Sequence, residues 1–462
     1  TQTYQLLGIT DTAMLRPQVF SFYDGAVQIG LICSEKQAID ATLRSLAQDD
    51  IRFSPIADKY WNARGGSSSD GGAFMFNVIP GTDGARKIEC LNKFGEQVRV
   101  DRRAPYKPMR LDTPGLNLYS RTVSEADIAV ETGDPIAMFD FVRRVSPKAD
   151  YTSLNQILEH YARRACADRT LQTSIIEALT LLLDRKIPLG EKKRSALVWI
   201  VMGYLNRIFR SVSRITNILD MGYYRLIDFE TKGFLRPPMG VERSLVIDAS
   251  RFEPEGEDCD AVLIADAYRL GWRNFIVFDL RGQRFEGCGF GPSSRDVRID
   301  LYGSSGDYVA SGIDGMEVHV HGNAQDQIAQ IMKAGLLVIH GDVGQCFMYG
   351  AKGGKSFVLG NAAGRPLINA AGNPRVVING TALDFLGESF MAGDPLNGGG
   401  FCIVNGLTMD EDGCISFLER PYPGSNLFSL ASGGCIYIRD PKRTLVDDQL
   451  NGGEFQELAP ED

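Results

Sequence analysis

Three of the four histidines in this 462-residue chain lie close together in sequence, as His319, His321 and His340. His319 and His321 alternate along one short apolar segment, and His340 lies in the next such segment. If these segments are strands, the side chains share one face, where imidazole nitrogens could bridge a divalent metal ion. No carboxylate or cysteine pattern completes such a site, so we predict an exposed or interface cluster and no metal.

Two other patterns are typical of catalysis or nucleotide binding. Asp384 and Glu388, in TALDFLGESF, have the residue types of an acid/base pair. Residues 320–364 repeat a glycine, a few polar residues, an apolar run and a glycine, as a series of phosphate-cradling loops would. A phosphate loop opens a helix, however, whereas these glycines are followed by the strand-like runs LLVIHG and KSFVLG. The same argument makes the Gly/Ser-rich residues 62–72, which precede AFMFNVI, a surface loop.

The spacing of the glycines predicts a structural role for them. The glycines that close successive apolar runs are Gly303, Gly322, Gly341, Gly360, Gly380 and Gly406. The first three steps between them are equal, the fourth is longer by one position, and the last contains an insertion. We call the shared step the repeat interval. It identifies the apolar runs as copies of one unit.

A column of similar residues runs through these copies. Positions are counted back from the residue that closes each run. The fourth position back is small or medium and mostly apolar, whereas the first and fifth positions back are mixed in character. This alternation predicts short strands that share one interior. Two positions before each run ends stands a branched aliphatic residue, namely Leu301, Val320, Ile339, Val358, Ile378, Val404 and Ile438.

Strands that recur at so short an interval leave no room for a crossover helix, so they must stack in parallel. The sequence therefore predicts a parallel β-helix of seven coils, about 30 Å long at about 4.8 Å per coil. Glycines such as Gly335 and Gly354 open the runs and supply the backbone conformations of the corners. Cys346, Cys402 and Cys435 occupy positions in the stack and are predicted to be packed thiols.

Composition divides the chain into three predicted regions. Residues 1–115 form a small α/β domain with apolar runs at 27–33, 73–79 and 97–100 and a helical segment at 34–48. Residues 116–240 are a helical region and linker, with apolar residues at i, i+3, i+4 and i+7. The basic cluster between residues 185 and 194 is predicted to be a solvated face. Residues 241–462 hold the β-helix.

Charge and cysteine usage exclude several classes of protein. The net charge of −9 is spread along the chain, which disfavours nucleic-acid binding. Nine separated cysteines without a CxxC pair favour reduced thiols in the cytoplasm and disfavour an iron–sulfur or zinc site built from them. The longest apolar run, residues 196–205, is about half of a membrane span, and no signal peptide is evident.

The glycine-rich repeat resembles a known family. GQRFEGCGFG, GNAQDQIAQIMKAGLLVIHGD, GAKGGKSFVLG, GTALDFLGESFMAGD and SGGCIYIRD together look like the C-terminal domain of glutamate synthase, in the version that archaea and some bacteria carry as a separate subunit. The C subunits of formylmethanofuran dehydrogenase and of the formyltransferase/hydrolase complex share this domain. The resemblance covers residues 247–440 and implies a right-handed β-helix without an active site, which buttresses a flavin-binding barrel and an ammonia tunnel.

Some residues depart from the family's pattern. Ala329 and Gln345 stand where the family has glycines, so the stack is expected to be less regular than in its relatives. Asp384 and Glu388 fall where the family has a fixed turn, and we therefore predict that they are not a catalytic pair.

A shorter resemblance involves the N-terminal region. GITDTAMLRPQVF and LICSEKQAI are similar to the late half of a class II glutamine amidotransferase, through LRP at 15–17 and SE at 34–35. That family uses an N-terminal cysteine as its nucleophile, whereas this sequence begins with Thr1 and has its first cysteine at Cys33. The matched segments belong late in that fold, so Thr1 is not predicted to be a nucleophile.

These resemblances imply a structural subunit of a glutamate-synthase-type oxidoreductase complex, without its own active site or cofactor. FMN and iron–sulfur clusters would belong to partners, namely a flavin synthase-like subunit and an amidotransferase or ferredoxin-like subunit. The alternative is a scaffold subunit of a formylmethanofuran-dehydrogenase-like, formyltransferase/hydrolase-like or other redox complex, with an active site at an interface. A self-assembling scaffold is a third hypothesis. No nucleic acid or membrane is expected as a partner.

Overall fold

The structure, a computed structural model, describes residues 19–23, 26–30, 74–80, 86–92, 118–216, 222–410, 413–458, 460 and 462, with side chains from residue 124 onward. Several predictions fall outside these ranges: the helix at 34–48, the loop at 62–72, the apolar run at 97–100, Thr1, Cys33 and the two amidotransferase-like segments.

The described N-terminal residues form one antiparallel sheet of four strands in chain order. These strands are β1 (Val19–Tyr23), β2 (Ala26–Gly30), β3 (Phe74–Pro80) and β4 (Arg86–Asn92). Strands β2 and β3 overlap two of the predicted apolar runs, at 27–30 and 74–79. The amidotransferase-like character of this region stays a prediction.

Five helices follow: α1 (Leu118–Glu131), α2 (Pro135–Val145), α3 (Tyr151–Ala167), α4 (Arg169–Asp184) and α5 (Arg194–Ser211). Asp134, Asp150 and Asp168 each precede a helix and accept a hydrogen bond from a backbone N–H of its first turn. Asp168 ends α3 and caps α4, so the two helices follow each other directly. Across the described ranges, no helix has the length and apolar character needed to span a membrane.

The second half of the described chain is built on a ten-stranded parallel sheet. Its strands are β5 (Tyr224–Ile227), β6 (Ser244–Asp248), β7 (Asn274–Arg281), β8 (Arg298–Ser304), β9 (Asp314–Val320), β10 (Ala334–Ile339), β11 (Lys355–Val358), β12 (Arg375–Ile378), β13 (Phe401–Val404) and β16 (Cys435–Ile438). Helix α6 (Asp260–Arg269) connects β6 to β7, and β14 (Leu407–Met409) and β15 (Ile415–Phe417) form a separate antiparallel hairpin. The described part of the protein is therefore a mixed α/β structure.

The predicted column of branched aliphatic residues is confirmed as a structural column. Each member is the register partner of the next, from Leu301 through Ile378 to Ile438. All members are buried except Ile438, which is half-buried. The repeat interval is thus the distance along the chain from one strand to the same point on its neighbour.

The sequence pattern does not predict the first three strands of the sheet, β5, β6 and β7. Ile227, Ile247 and Val277, in β5 to β7, extend the same buried aliphatic column. The first residues of β5, β6, β7 and β8 are unequally spaced along the chain, because α6 and longer connections separate these strands. A search for a constant period therefore does not find them. The sheet accordingly includes residues that the sequence analysis placed in the helical region.

The segments between the strands also pair with the preceding and following repeats, through isolated parallel bridges. Parallel bridges join Ala324 to Val343, Val343 to Ala362 and Ala362 to Ala382, so that each bridge links one repeat to the next. A further series, along another line of the structure, begins with the bridge from Ala371 to Met391. The repeat therefore pairs with itself outside the main sheet as well.

Each repeat also contains a segment, here called the left-handed segment, in which alternate residues have positive φ. Left-handed backbone costs a non-glycine residue about 1–2 kcal/mol, so the surrounding structure must compensate for it. Phe285, Gly287, Gly289 and Gly291 have this alternation in the earliest copy. The members in later copies are Tyr308, Ala310 and Gly312; Gln327, Ala329 and Ile331; Cys346, Met348 and Gly350; Arg365, Leu367 and Asn369; Phe385, Gly387 and Ser389; Asn426, Phe428 and Leu430.

Hydrogen bonds between repeats explain the alternation. The N–H of Ala329 donates to Val309 O of the preceding repeat at 2.8 Å. The N–H groups of Gln327 and Ile331 donate in the other direction, to carbonyl oxygens of the following repeat. Ala329, predicted to replace a glycine, therefore adopts the left-handed conformation itself (φ 56°). Gln345, the other predicted replacement, is not among the positive-φ residues.

The aliphatic column can be tested by placing a charge in it. Ile378→Asp introduces a carboxylate at a fully buried position, and we expect a loss of about 4–5 kcal/mol or more in the free energy of unfolding. Arg375→Ala, in the same strand at an exposed position, should change it by no more than about 0.5 kcal/mol. Denaturant unfolding measures both, and equal losses would contradict the register.

The strain in the left-handed segment can be tested at Ile331, a β-branched residue with φ 57° that is 44 % exposed. Ile331→Gly relieves the conformation, so stability should stay unchanged or rise by up to about 1 kcal/mol. Val262→Gly is the control, because Val262 is 41 % exposed within α6, where glycine should cost about 1 kcal/mol. A loss in Ile331→Gly as large as in the control would contradict the proposed strain.

Candidate functional site

The outer face of the parallel sheet, opposite the aliphatic column, meets the helices over its first strands. Val246, Ile276, Phe278 and Tyr302 on this face pack into one core with the buried residues of α1 to α5. The three clustered histidines continue the face at the ends of β9 and β10. They therefore lie where the helical layer ends on the sheet.

Helix α4 crosses the strands and contacts several of them through polar side chains. Thr173 Oγ1 lies 2.8 Å from Tyr224 Oη, and Thr180 Oγ1 lies 2.8 Å from Tyr302 Oη. Asp184, the last residue of α4, reaches the histidines. Thr173, Thr180 and Asp184 are spaced along α4 so that they lie on one face of the helix. A line of hydrogen bonds thus fixes α4 on the sheet.

His321 is held between two carboxylates. Its Nδ1 lies 2.8 Å from Asp184 Oδ1 and its Nε2 lies 3.2 Å from Asp300 Oδ1, and the side chain is 3 % exposed. Burial by itself would lower the pKa of His321, but the two carboxylates outweigh it and raise the pKa to about 9. His321 is therefore an imidazolium at neutral pH, and each ring N–H donates to one carboxylate.

Asp300 is fixed from its other side by Arg298. The Nε and Nη2 groups of Arg298 both donate to Asp300 at 2.8 Å, and Nη1 donates to Glu317 Oε1 at 2.6 Å. Burial would raise the pKa of Asp300, but the hydrogen bonds and charges of His321 and Arg298 hold it far below the usual value. Asp300 is therefore ionised, and its position is determined by two cations.

His340 differs from its neighbour in its partners. Its ring stacks on that of His321, with centroids 5.2 Å apart, but both of its nitrogens are buried without a hydrogen bond from the described residues. Its Nδ1 lies 3.5 Å from Asp184 Oδ1, beyond good hydrogen-bond distance. Burial lowers the pKa of His340 to about 4. His340 is therefore neutral.

His319 lies beside both rings and has a carboxylate of its own. Its Nε2 is 2.6 Å from Glu317 Oε1, and burial lowers its pKa. The predicted register of the three histidines is confirmed, because the N–H of His321 donates to Leu301 O and that of His340 to Val320 O in successive strands. The cluster is covered by α4, so it lies at an interface within the chain.

A pocket of about 620 Å³ opens beside the cluster, between α2, α4 and the sheet. The three histidines, Asp184 and Asp300 form its polar side, and Ile136 and Ile176 belong to its apolar side. A second cavity, of about 820 Å³, lies between α1, α2 and the turn at Gly413, away from the histidines. The first of these cavities is the one that the histidine cluster lines.

The other residues considered in the sequence lie elsewhere. The N–H and hydroxyl of Ser425 donate to Asp384 Oδ1 at 2.7 and 3.0 Å, which lowers the pKa of Asp384. Asp384 therefore joins its own segment to that of Ser425, and the absence of a catalytic role for Asp384 and Glu388 stays a prediction. Cys402 is fully buried, and burial raises its pKa to about 12, as expected of a packed thiol. Cys346 and Cys435 are free and half-buried.

The prediction of a solvated basic face between residues 185 and 194 is wrong for two members. Lys192 is buried, and its Nζ donates to Ala149 O at 2.5 Å. Arg194 donates through Nη2 to Leu183 O at 2.6 Å, and burial lowers its pKa. The carbonyl of Leu183 lies in the last turn of α4, where it lacks a partner within the helix, and that of Ala149 lies in the connection between α2 and α3. The two side chains supply partners to these carbonyl groups.

The sequence analysis missed the two carboxylates of the cluster. Asp300 is the register partner of His319, so the predicted register places it beside the histidines. Asp184 lies far from His321 along the chain, and no local pattern joins them. One signal is the carboxylate at the C-terminal end of a helix, where the helix dipole disfavours negative charge unless a cation lies nearby.

The ion pair can be tested by removing the charge of Asp184. Asp184→Asn should lower the free energy of unfolding by about 3 kcal/mol, because a buried imidazolium loses a partner. The pKa of His321, followed by NMR in metal-free buffer, should fall below its value of about 9. Asp140→Asn is the control, since Asp140 pairs with Arg143 at the surface and should cost no more than about 0.5 kcal/mol. An unchanged pKa of His321 would show that Asp184 does not determine its protonation.

Comparison with known proteins gives one match. Residues 281–456, less than half of the chain, match the family model described as the GXGXG motif, the type of domain found at the C-terminus of the glutamate synthase large subunit. Residues 287–291 read Gly-Cys-Gly-Phe-Gly, and all three glycines have positive φ. No curated protein and no solved structure matches the chain. The described region that carries the left-handed segments is thus the region similar to this family.

Proposed function

We propose that this protein is a non-catalytic structural subunit of a glutamate-synthase-type oxidoreductase complex. The observation that carries the proposal is the match of residues 281–456 to the GXGXG motif, because that domain belongs to a glutamate synthase-like family. The proposed partners are a flavin synthase-like subunit and an amidotransferase or ferredoxin-like subunit, and FMN and iron–sulfur clusters would belong to them. Free cysteines favour a cytoplasmic location for the complex.

The proposed architecture of the repeat region is a right-handed parallel β-helix, the form that the family resemblance implies. Three features support it: the ten-stranded parallel sheet, the two series of bridges and the left-handed segments. Over residues 298–378 they recur at nearly the same interval, as successive coils of one solenoid would. Such a rod offers long, rigid faces to other subunits.

One face of the sheet has the character of a contact surface. The outward side chains of β11, β12, β13 and β16 are the register neighbours Phe357, Val377, Ile403 and Tyr437. Phe357 and, next to it, Leu359 are 40 % and 39 % exposed. Helices α1 to α5 pack on β5 to β8 of the same face. We propose that the flavin synthase-like subunit covers the later strands as these helices cover the earlier ones.

The arrangement of the histidine cluster also favours a structural role. His321 and its two carboxylates bond to one another, and together they join α4 to β8 and β9. Tyr302 has its pKa raised by burial and hydrogen-bonds to Thr180, so it remains a neutral packing residue. These groups hold helix α4 against the parallel sheet.

The proposal can be tested by purifying the chain alone and from its native cells. Alone, it should be colourless and lack glutaminase and glutamate synthase activity. From native cells, mass spectrometry should identify a flavin synthase barrel and an amidotransferase as co-purifying subunits. A yellow, active isolated chain would refute the proposal. A molybdopterin or amidohydrolase subunit would instead support a scaffold of the formylmethanofuran-dehydrogenase or formyltransferase/hydrolase type.

The position of the contact surface is tested in the same experiment. Phe357→Glu should abolish co-purification of the flavin subunit while leaving the chain folded, because the glutamate would lie in an apolar interface. Leu430→Glu is the matched control, since Leu430 is 74 % exposed but lies in a left-handed segment outside the sheet. Equal retention of the partner by both variants would refute this surface.

A further inference from the structure

We propose that Asp184, His321 and His340 bind a divalent transition-metal ion of the zinc type. Their ligand atoms, one carboxylate oxygen and two imidazole nitrogens, all lie within 4.8 Å of one another. Two imidazoles and one carboxylate are a common ligand set for zinc and similar ions. The inference does not depend on the proposed function, because it concerns the join between α4 and the sheet.

The distances suit a metal ion with little rearrangement. Ligand atoms at about 2.0–2.1 Å from a tetrahedral ion lie about 3.3 Å from one another. Asp184 Oδ1 is 2.8 Å from His321 Nδ1 and 3.5 Å from His340 Nδ1, so the two separations lie on either side of this value. The ligand nitrogens of His321 and His340 lie within 4.8 Å of each other, so a small movement of the side chains would bring all three ligand atoms to the ion.

The groups that commonly orient metal-binding histidines are already in place. A histidine that binds a metal through one nitrogen usually donates its other N–H to a carboxylate. His321 does so, because Nδ1 faces Asp184 while Nε2 donates to Asp300. Asp300 is in turn fixed by two hydrogen bonds from Arg298. The ring of His321 is therefore oriented with its Nδ1 toward the proposed ion.

His340 has the properties expected of a ligand whose partner is a metal. Both of its nitrogens are buried without a hydrogen bond in the described part of the chain, although burying such a polar atom unpaired costs about 1–3 kcal/mol. A neutral imidazole is the form that offers a nitrogen lone pair to a metal ion. A bound ion would give this side chain the partner that it lacks.

The charges around the site permit the exchange of a proton for the ion. Arg298 bonds to Asp300 and Glu317, and Arg194, near Asp184, donates to a backbone carbonyl of α4. Asp184 has the negative charge that faces the proposed site, and the imidazolium of His321 balances it. When the ion binds, the N–H bond at Nδ1 breaks, the proton leaves to solvent and a metal–nitrogen bond replaces it. The proton on Nε2 remains with Asp300.

The site opens on the pocket of about 620 Å³ that all three residues line. Water from this pocket can complete a tetrahedral coordination. Because Asp184 belongs to α4 and the histidines to the sheet, the ion would connect the two layers. Metal binding should therefore stabilise the fold.

The experiment is a titration of the full chain with Zn²⁺ after treatment with a chelator. Wild type should bind one ion, by calorimetry and by elemental analysis, and its unfolding midpoint should rise. His340→Phe keeps the ring stacked on His321 and loses no hydrogen bond, so it should fold. It should weaken Zn²⁺ binding by roughly 100-fold or more and remove the thermal shift, while Asp300→Asn should weaken binding by roughly 10-fold or more.

His319→Gln is the matched control, because His319 stacks against the same rings but pairs with Glu317. It should bind Zn²⁺ as wild type does. Substitution with Co²⁺ should give the weak visible bands of nitrogen and oxygen ligands. No binding by wild type, equal binding by wild type and His340→Phe, or an intense thiolate-to-cobalt band would each overturn the proposal.

Discussion

The constraint on which the structure depends is the parallel register that each strand keeps with its neighbour. The chain returns to the same point one strand further on, whether by the repeat interval or by a longer connection, so one aliphatic column stays buried from Leu301 to Val404 and half-buried at Ile438. A single residue gained or lost within a strand would turn that column toward the outer face. Insertions are found instead between strands, as the hairpin of β14 and β15 and the helix α6 show.

The outer face of the sheet shows how the second layer depends on the first. The parallel register brings Tyr302, His321 and His340 into line, and their rings stack at centroid distances of 4.4 and 5.2 Å. Helix α4 follows this line of rings and ends on it with Asp184. The hydrogen bonds from Thr173, Thr180 and Asp184 to the sheet fix the position and the direction of the helix. Hydrogen bonds are directional, whereas the surrounding apolar contacts are not.

The parts of the fold that repeat could be predicted from the sequence, and the parts that do not repeat could not. The aliphatic column can be detected in the sequence because the same residue pattern recurs in each strand. Strands β5 to β7 obey the same packing rule, but their unequal spacing hides them. The histidines were identified as candidates, whereas Asp184 joins them through tertiary packing, which periodicity does not encode. Lys192 and Arg194 show a similar limit, because the packing of the helices brings the carbonyl groups of Ala149 and Leu183 to them.

The left-handed segments determine how the repeat region can come apart. Since successive N–H groups such as those of Gln327 and Ala329 donate to opposite neighbours, each repeat is both donor and acceptor on either side. Opening the structure at any level therefore breaks bonds belonging to two repeats at once and leaves strained backbone without compensation. A repeat region bonded in this way behaves mechanically as one body.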